Sequence, residues 1–138
     1  AYNFIRLARL AARPDLEDKA FKIFEVFSWE INRNPQIYTF CLSALMFSEK
    51  KTREVVIVTS SRKEAEDMIK VLYSEYRPFN IPILYVTDSD ESNKIKEINT
   101  SIEKYEMLKE KPTAFVCEGY QCKPPVTDIN AFRELLNN

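Results

Sequence analysis

Residues 55–58 read Val-Val-Ile-Val, four consecutive β-branched residues with nothing polar among them. An unbroken run of that kind is a strand buried on both faces, as in parallel sheets covered by helices on each side. It also marks a change of period along the chain. Upstream, apolar residues recur every three or four positions; from Arg53 onward, short apolar runs alternate with helical patterns. Ile83-Leu84-Tyr85-Val86 is a second strand after a turn at Pro78 to Pro82, and Ala114-Phe115-Val116 is a third. Between the strands, Ser61 and Glu64 form a capping-box pattern ahead of Ala65, Met68, Ile69 and Leu72. Ile95, Ile98, Ile102 and Tyr105 mark a further helical segment. Asp128 is placed to cap a terminal helix over Ile129 to Leu136. The order β-α-β-α-β-α predicts an α/β layer of three parallel strands, near 55–59, 83–87 and 113–117, joined by right-handed crossovers.

Residues 2–48 read as helix throughout. Tyr2, Ile5, Ala8 and Leu10 define a first helix ending near Ala12. A second enters at Arg13-Pro14-Asp15 and lines up Leu16, Ala20, Ile23, Phe24, Phe27 and Ile31. A third takes Asn34 as N-cap and Pro35 as first helical residue, turning Ile37, Cys41, Ala44 and Leu45 inward. The expected organisation is a helical segment, residues 1–50, followed by a small α/β subdomain, residues 51–138. The helical segment holds Trp29 and six of the nine phenylalanines, Phe4, Phe21, Phe24, Phe27, Phe40 and Phe47. That is more aromatic surface than three helices bury on one small sheet, and the chain begins without Met and directly in helix. The expectation is therefore an excised C-terminal part of a longer protein, able to self-associate through residues 2–48.

With 138 residues and a net charge of -1, the chain lacks the basic footprint that holds phosphate backbones, so nucleic acid is not an expected partner. No apolar stretch approaches the roughly 20 residues needed to span a bilayer, no membrane partner is expected, and a cytoplasmic location is the default. The chain has no histidine, which removes Ser-His-Asp and Cys-His catalysis and His-ligated metal sites. A single glycine rules out glycine-rich phosphate loops. No cofactor is expected, and no metal: Cys117, Cys122 and the distant Cys41 leave a zinc ligand set incomplete.

The stretch Thr113 to Asp128, TAFVCEGYQCKPPVTD, concentrates two of the three cysteines, the only glycine and two of the seven prolines. A turn centred on Gly119 could bring Cys117 and Cys122 within disulfide reach. They form either a redox pair or two reduced cysteines, one packed as a small apolar residue and one in a loop; the reduced reading is the expectation. In a parallel layer, three polar loops would converge at the strands' carboxyl ends, namely Thr59-Ser60-Ser61, Thr87-Asp88-Ser89-Asp90, and Cys117 to Cys122. The candidate redox or ligand loop thus comprises Cys117, Cys122, Ser60, Ser61 and Asp88, and no catalytic residue is assigned. Asp88 and Asp90 have the chemistry of an acid and base pair, but a solvated acidic turn ahead of a helix is the commoner explanation and the expectation.

The motif in Phe115-Val116-Cys117, Cys122, Pro125 and Thr127-Asp128 resembles the closing signature of a family of thioredoxin-domain-containing, spermatogenesis-associated thioredoxin-like proteins of uncertain function. The resemblance implies an N-terminal thioredoxin-like domain joined to an α/α toroid like those of sugar epimerases and glycosidases. This chain would supply the toroid's last helices and a C-terminal α/β appendage, with the remainder of the full-length protein as its partner. No CxxC motif is present, so the thioredoxin-like active site lies outside this chain. The sequence departs from the family pattern after the first strand, where Thr59-Ser60-Ser61 stands in place of a glycine. The implied role is a structural module without complete catalytic machinery; the alternative is a redox or ligand-binding role of the Cys117/Cys122 loop in an epimerase- or glycosidase-like enzyme.

Overall fold

The computed structural model describes residues 1–119 and 121–137; Tyr120, within the expected 117–122 loop, and Asn138 lie outside the described residues. The chain divides into two compact units, residues 1–52 and 53–138.

The first unit contains α1 (Tyr2–Leu10), α2 (Pro14–Arg33) and α3 (Thr39–Glu49). Pro14 opens α2 where its missing N–H costs nothing, and Asp15 and Glu17 favour the positive end of the helix dipole. Ala12, at φ 51°, reverses the chain between α1 and α2 as Arg13 N–H closes on the Ala8 carbonyl at 2.9 Å. Ile5, Ala8, Ala20 and Phe24 are the buried side of this pair. Tyr2 meets Phe47 edge-on with ring centroids 5.2 Å apart and lies 5.5 Å from Phe40.

The third helix starts later than its sequence pattern predicts. Asn34 ends α2, donating its N–H to Glu30 at 2.9 Å, and Pro35 sits in a turn closed by Tyr38 N–H on the Pro35 carbonyl. Ile37 is consequently 71% exposed rather than inward. Asn-Pro is equally good chemistry for a turn, and here the turn wins.

The second unit is a sheet covered on both faces. It contains β1 (Arg53–Thr59), α4 (Glu66–Tyr73), β2 (Asn80–Val86), α5 (Asp90–Ile98), a 3-10 turn (Thr100–Lys104), β3 (Thr113–Glu118), β4 (Gln121–Cys122) and α6 (Ile129–Asn137). The strand order is β2-β1-β3-β4. β1 and β2 are parallel, Val56 opposite Ile83, as the two β-branched runs require. β3 is antiparallel to β1, Val56 opposite Phe115, so the expected three-stranded parallel layer is a four-stranded mixed sheet. The reversal follows from the connection. After α5 the chain makes the 3-10 turn and then a tight turn bridging Leu108 and Lys111, in which Lys109 and Glu110 both take positive φ, 53° and 57°. The buried Thr113 hydroxyl accepts from Leu108 N–H and donates to the Lys111 carbonyl, 2.8 Å each, which fixes that turn at the mouth of β3.

Alternation sorts the core. Val55, Ile57, Ala114 and Val116 face Met68, Val71 and Leu72 of α4 and Phe132 and Leu136 of α6. Val56, Val58, Tyr85 and Cys117 face Ile102 and Tyr105. Both sides of β1 are thus dry, and a fully buried side chain such as Ile57 contributes roughly 1.5–3 kcal/mol. β2 starts three residues earlier than its apolar run because Pro82 lies on the edge strand, where no second partner needs its missing donor. Asp128 caps α6 as expected, its Oδ1 accepting from Asn130 and Ala131 N–H at 2.9 Å each. Ser61 Oγ accepts from Glu64 N–H at 3.4 Å, but the Glu64 carboxylate takes the Ser60 hydroxyl at 2.7 Å, and α4 opens at Glu66.

Candidate functional site

Antiparallel β3 separates the loops that a parallel layer would have gathered. Thr59, Ser60, Ser61, Thr87 and Asp88 lie at the carboxyl ends of β1 and β2, joined by Thr87 N–H donating to the Thr59 carbonyl at 2.9 Å. Cys117 stands opposite Glu54, at the other end of β1, which at about 3.3 Å per residue is roughly 20 Å from Ser60. Cys117 and Cys122 therefore share no site with Ser60, Ser61 and Asp88.

The polar end is locally satisfied. The fully buried Thr59 hydroxyl donates to the Ser61 carbonyl at 2.9 Å, and Ser60 is held by Glu64. Asp88 is exposed and receives the Thr87 hydroxyl at 3.4 Å. Ser89 caps α5 by accepting Ser92 N–H at 3.2 Å, and Asp90 sits in that helix's first turn. These groups build turns and helix starts.

At the opposite end, β3 and β4 form a hairpin with Glu118 opposite Gln121 and Cys117 opposite Cys122; its connection includes Gly119 at φ 56°. A left-handed residue is what a tight hairpin needs, and Gly supplies it without steric cost. Lys123 N–H donates to the Val116 carbonyl at 3.0 Å, so the neighbouring rung is hydrogen-bonded and the cysteines occupy the close, non-hydrogen-bonded rung. Their Cα atoms are 3.9 Å apart and the sulfurs are joined in a disulfide. The expected pair of separate thiols gives way to a bridge because the register brings both side chains to one spot on one face.

The two sulfurs have unlike surroundings. Cys117 is 3% exposed within the Val56, Val58 and Ile102 cluster, whereas Cys122 is exposed. Above them lies Tyr105, 7% exposed, its ring edge-on to Phe115 at 4.9 Å and capped by Lys104 Nζ at 5.0 Å. Its hydroxyl is 3.5 Å from Cys117 Sγ and 3.9 Å from Cys122 Sγ. Beside the hairpin, Arg53 pairs with Glu118 at 3.2 Å and donates to the Leu136 carbonyl at 3.0 Å, tying β1, the hairpin and α6 together. Beyond Lys123 the chain continues along β3: Val126 exchanges both backbone bonds with Ala114, leaving Pro124 and Pro125 as a bulge against Phe115. Sequence spacing assigns Tyr105 only to a buried helical face; its approach to the sulfurs arises from the 3-10 turn, for which the residues carry no signal.

The first unit has an open, mainly apolar cleft of about 420 Å³ between α1 and α3, lined by Tyr2, Phe4, Leu7, Ile23, Phe40 and Cys41 among others. Cys41, expected to be core, is a free, half-buried thiol in its wall. Among the described residues, no group of three or more His, Cys, Asp or Glu could hold a metal ion, and no helix is long and apolar enough to cross a membrane.

Three curated relatives span nearly the whole chain. It is 27% identical over 138 residues to human spermatogenesis-associated protein 20, 25% to the rat protein and 23% to the mouse protein, each alignment covering 99% of this chain. The chain spans only 17% of each relative's length, so the region it resembles is a small part of a larger protein. No family profile matches the chain, and no solved structure matches it.

Proposed function

We propose that this chain is a non-catalytic structural module of a larger protein, with residues 1–50 as closing helices of an α/α toroid and residues 51–138 as its α/β appendage. The observation that carries the reading is the relation to the three relatives: almost all of this chain matches less than a fifth of theirs. The surface of the helical unit supports it. Trp29 is 61% exposed and Phe40 71%, with Val26, Phe27 and Met46 also exposed. Such an apolar surface, next to a cleft lined by aromatic side chains, is what a helix pair presents when its partners are further helices. A thioredoxin-like domain elsewhere in the larger protein and a cytoplasmic location belong to the same reading; subcellular fractionation checks the second.

Taken alone, the chain satisfies the same surface with a second copy of itself. Sedimentation at increasing concentration should show reversible association, and Trp29→Ser with Phe40→Ser should return it to monomer while leaving its circular dichroism unchanged. A wild-type chain that stays strictly monomeric at high concentration overturns the assignment of that surface.

A further inference from the structure

The hairpin carries chemistry that a structural module does not need. We propose that Cys117 and Cys122 are a thiol–disulfide exchange site opened by a dithiol reductant from the Cys122 side, with the Tyr105 hydroxyl as hydrogen-bond donor to the departing Cys117 sulfur. This stands independently of the module reading, since both cysteines and Tyr105 belong to the second unit.

Three observations carry it. The first is asymmetry. Exchange needs a thiolate to reach one sulfur in line with the bond, and with Cys117 buried and Cys122 exposed only Cys122 is open to attack. The second is the leaving group. A buried phenol normally finds an oxygen or nitrogen partner, yet the hydrogen-bond partners of the Tyr105 hydroxyl among the described residues are the two sulfurs, the nearer being Cys117. An O–H aimed at Cys117 stabilises the negative charge that forms there when the bond breaks. The third is that opening the bond does not require unfolding the strand pair. The Glu118–Gln121 rung, the Lys123-to-Val116 hydrogen bond and the Ala114–Val126 bridge hold residues 121–126 against β3 on either side of the cysteines.

The reaction balances as follows. One thiolate of the reductant attacks Cys122 Sγ, forming a mixed disulfide; the Cys117–Cys122 bond breaks and its electron pair leaves on Cys117 Sγ, which is then protonated by solvent. The reductant's second thiolate attacks its own sulfur in the mixed disulfide, releasing the Cys122 thiolate, which takes a second proton. The protein gains two electrons and two protons, and the dithiol leaves as its disulfide.

The test uses the intact oxidised chain in native buffer. Dithiothreitol is added, aliquots are alkylated at intervals, and cysteine-containing peptides are mapped by mass spectrometry, with Cys41 serving as an internal reference. Full reduction should occur while circular dichroism remains that of a folded protein. With the monothiol glutathione, the trapped adduct should lie on Cys122. Tyr105→Phe keeps the ring against Phe115 and removes only the hydroxyl; reduction should slow by about fivefold, the worth of one modest hydrogen bond. In the reduced variant, alkylation of Cys117 should shift to higher pH, a change that a merely structural tyrosine would not produce. The proposal is overturned by glutathione on Cys117 or on both sulfurs equally, by reduction only in denaturant, by reduced protein that oxidised glutathione cannot close, or by a Tyr105→Phe variant with wild-type rate and pH profile.

Discussion

Reducing the bond between Cys117 and Cys122 leaves every other contact of the hairpin available, so its effect on stability can be sized from chain length alone. The bridge closes a loop over a sequence separation of 5. In the chain-entropy treatment, restricting an unfolded loop of about six residues is worth about 2 kcal/mol at 25 °C. For a unit of fewer than 100 residues that corresponds to a melting temperature lower by about 8–16 °C. Cys122→Ser should cost the same about 2 kcal/mol, because Cys122 is an exposed residue and the substitution removes little besides the bridge. Cys117→Ala should cost about 1 kcal/mol more, since it also strips the buried Tyr105 hydroxyl of its nearer partner. The assay is thermal unfolding of the chain and its two variants by far-UV circular dichroism, each with and without reductant. Identical melts for oxidised and reduced wild type would refute the loop-closure reasoning. Equal melts for the two variants would refute the claim that the sulfurs differ in their surroundings.

Other perturbations probe the rest of the second unit and the helix start in the first. Phe132→Ala, at a fully buried α6 position facing the sheet, should cost about 3–5 kcal/mol in urea unfolding. Thr113→Val preserves shape but leaves the Leu108 N–H without its acceptor, and about 1–3 kcal/mol should be lost. Glu110→Gly relieves a left-handed residue in the Leu108–Lys111 turn and should stabilise by about 1 kcal/mol, read as a higher urea midpoint. In the first unit, hydrogen bonds from Arg13 at 2.6 and 2.7 Å hold the Asp15 carboxyl below its ordinary value. A depressed folded value means the pair's contribution is present above the ordinary carboxylate range and lost as pH falls through that depressed value. By NMR titration, Arg13→Ala should return Asp15 to ordinary behaviour, while an unchanged titration would show the pair is not formed in solution.

What could be read from the residues, and what could not, follows from how far each signal reaches. Val55 to Val58 and Ile83 to Val86 announce two buried strands, and enough helical pattern lies between them to force parallel pairing. Ala114 to Val116 announces a strand but says nothing of its direction. That direction is set by a turn of Lys109 and Glu110 in left-handed conformations that these residue types do not advertise. Reversing β3 moved Cys117 and Cys122 away from Ser60, Ser61 and Asp88, so one misread direction dispersed the expected site. A turn at Gly119 able to bring Cys117 and Cys122 together was legible, but the short second strand that sets them opposite each other and the bridge between them were not, and separate thiols were the expectation. β4, with two exposed residues, has no apolar pattern to find. Asn34-Pro35 shows the same ambiguity locally, since the two residues suit a helix start and a turn equally.

The module reading turns on whether the exposed aromatic surface of α2 and α3 is covered in the longer protein. Hydroxyl-radical footprinting of this chain and of the longest natural protein that contains it compares the same side chains in both settings. Trp29 and Phe40 should be oxidised readily in the chain alone and protected in the longer protein, while Tyr76, 90% exposed in the second unit, reacts equally in both. Trp29 and Phe40 reacting as fast in the longer protein as in the chain alone would contradict the assignment of this chain as a module completed by its neighbours.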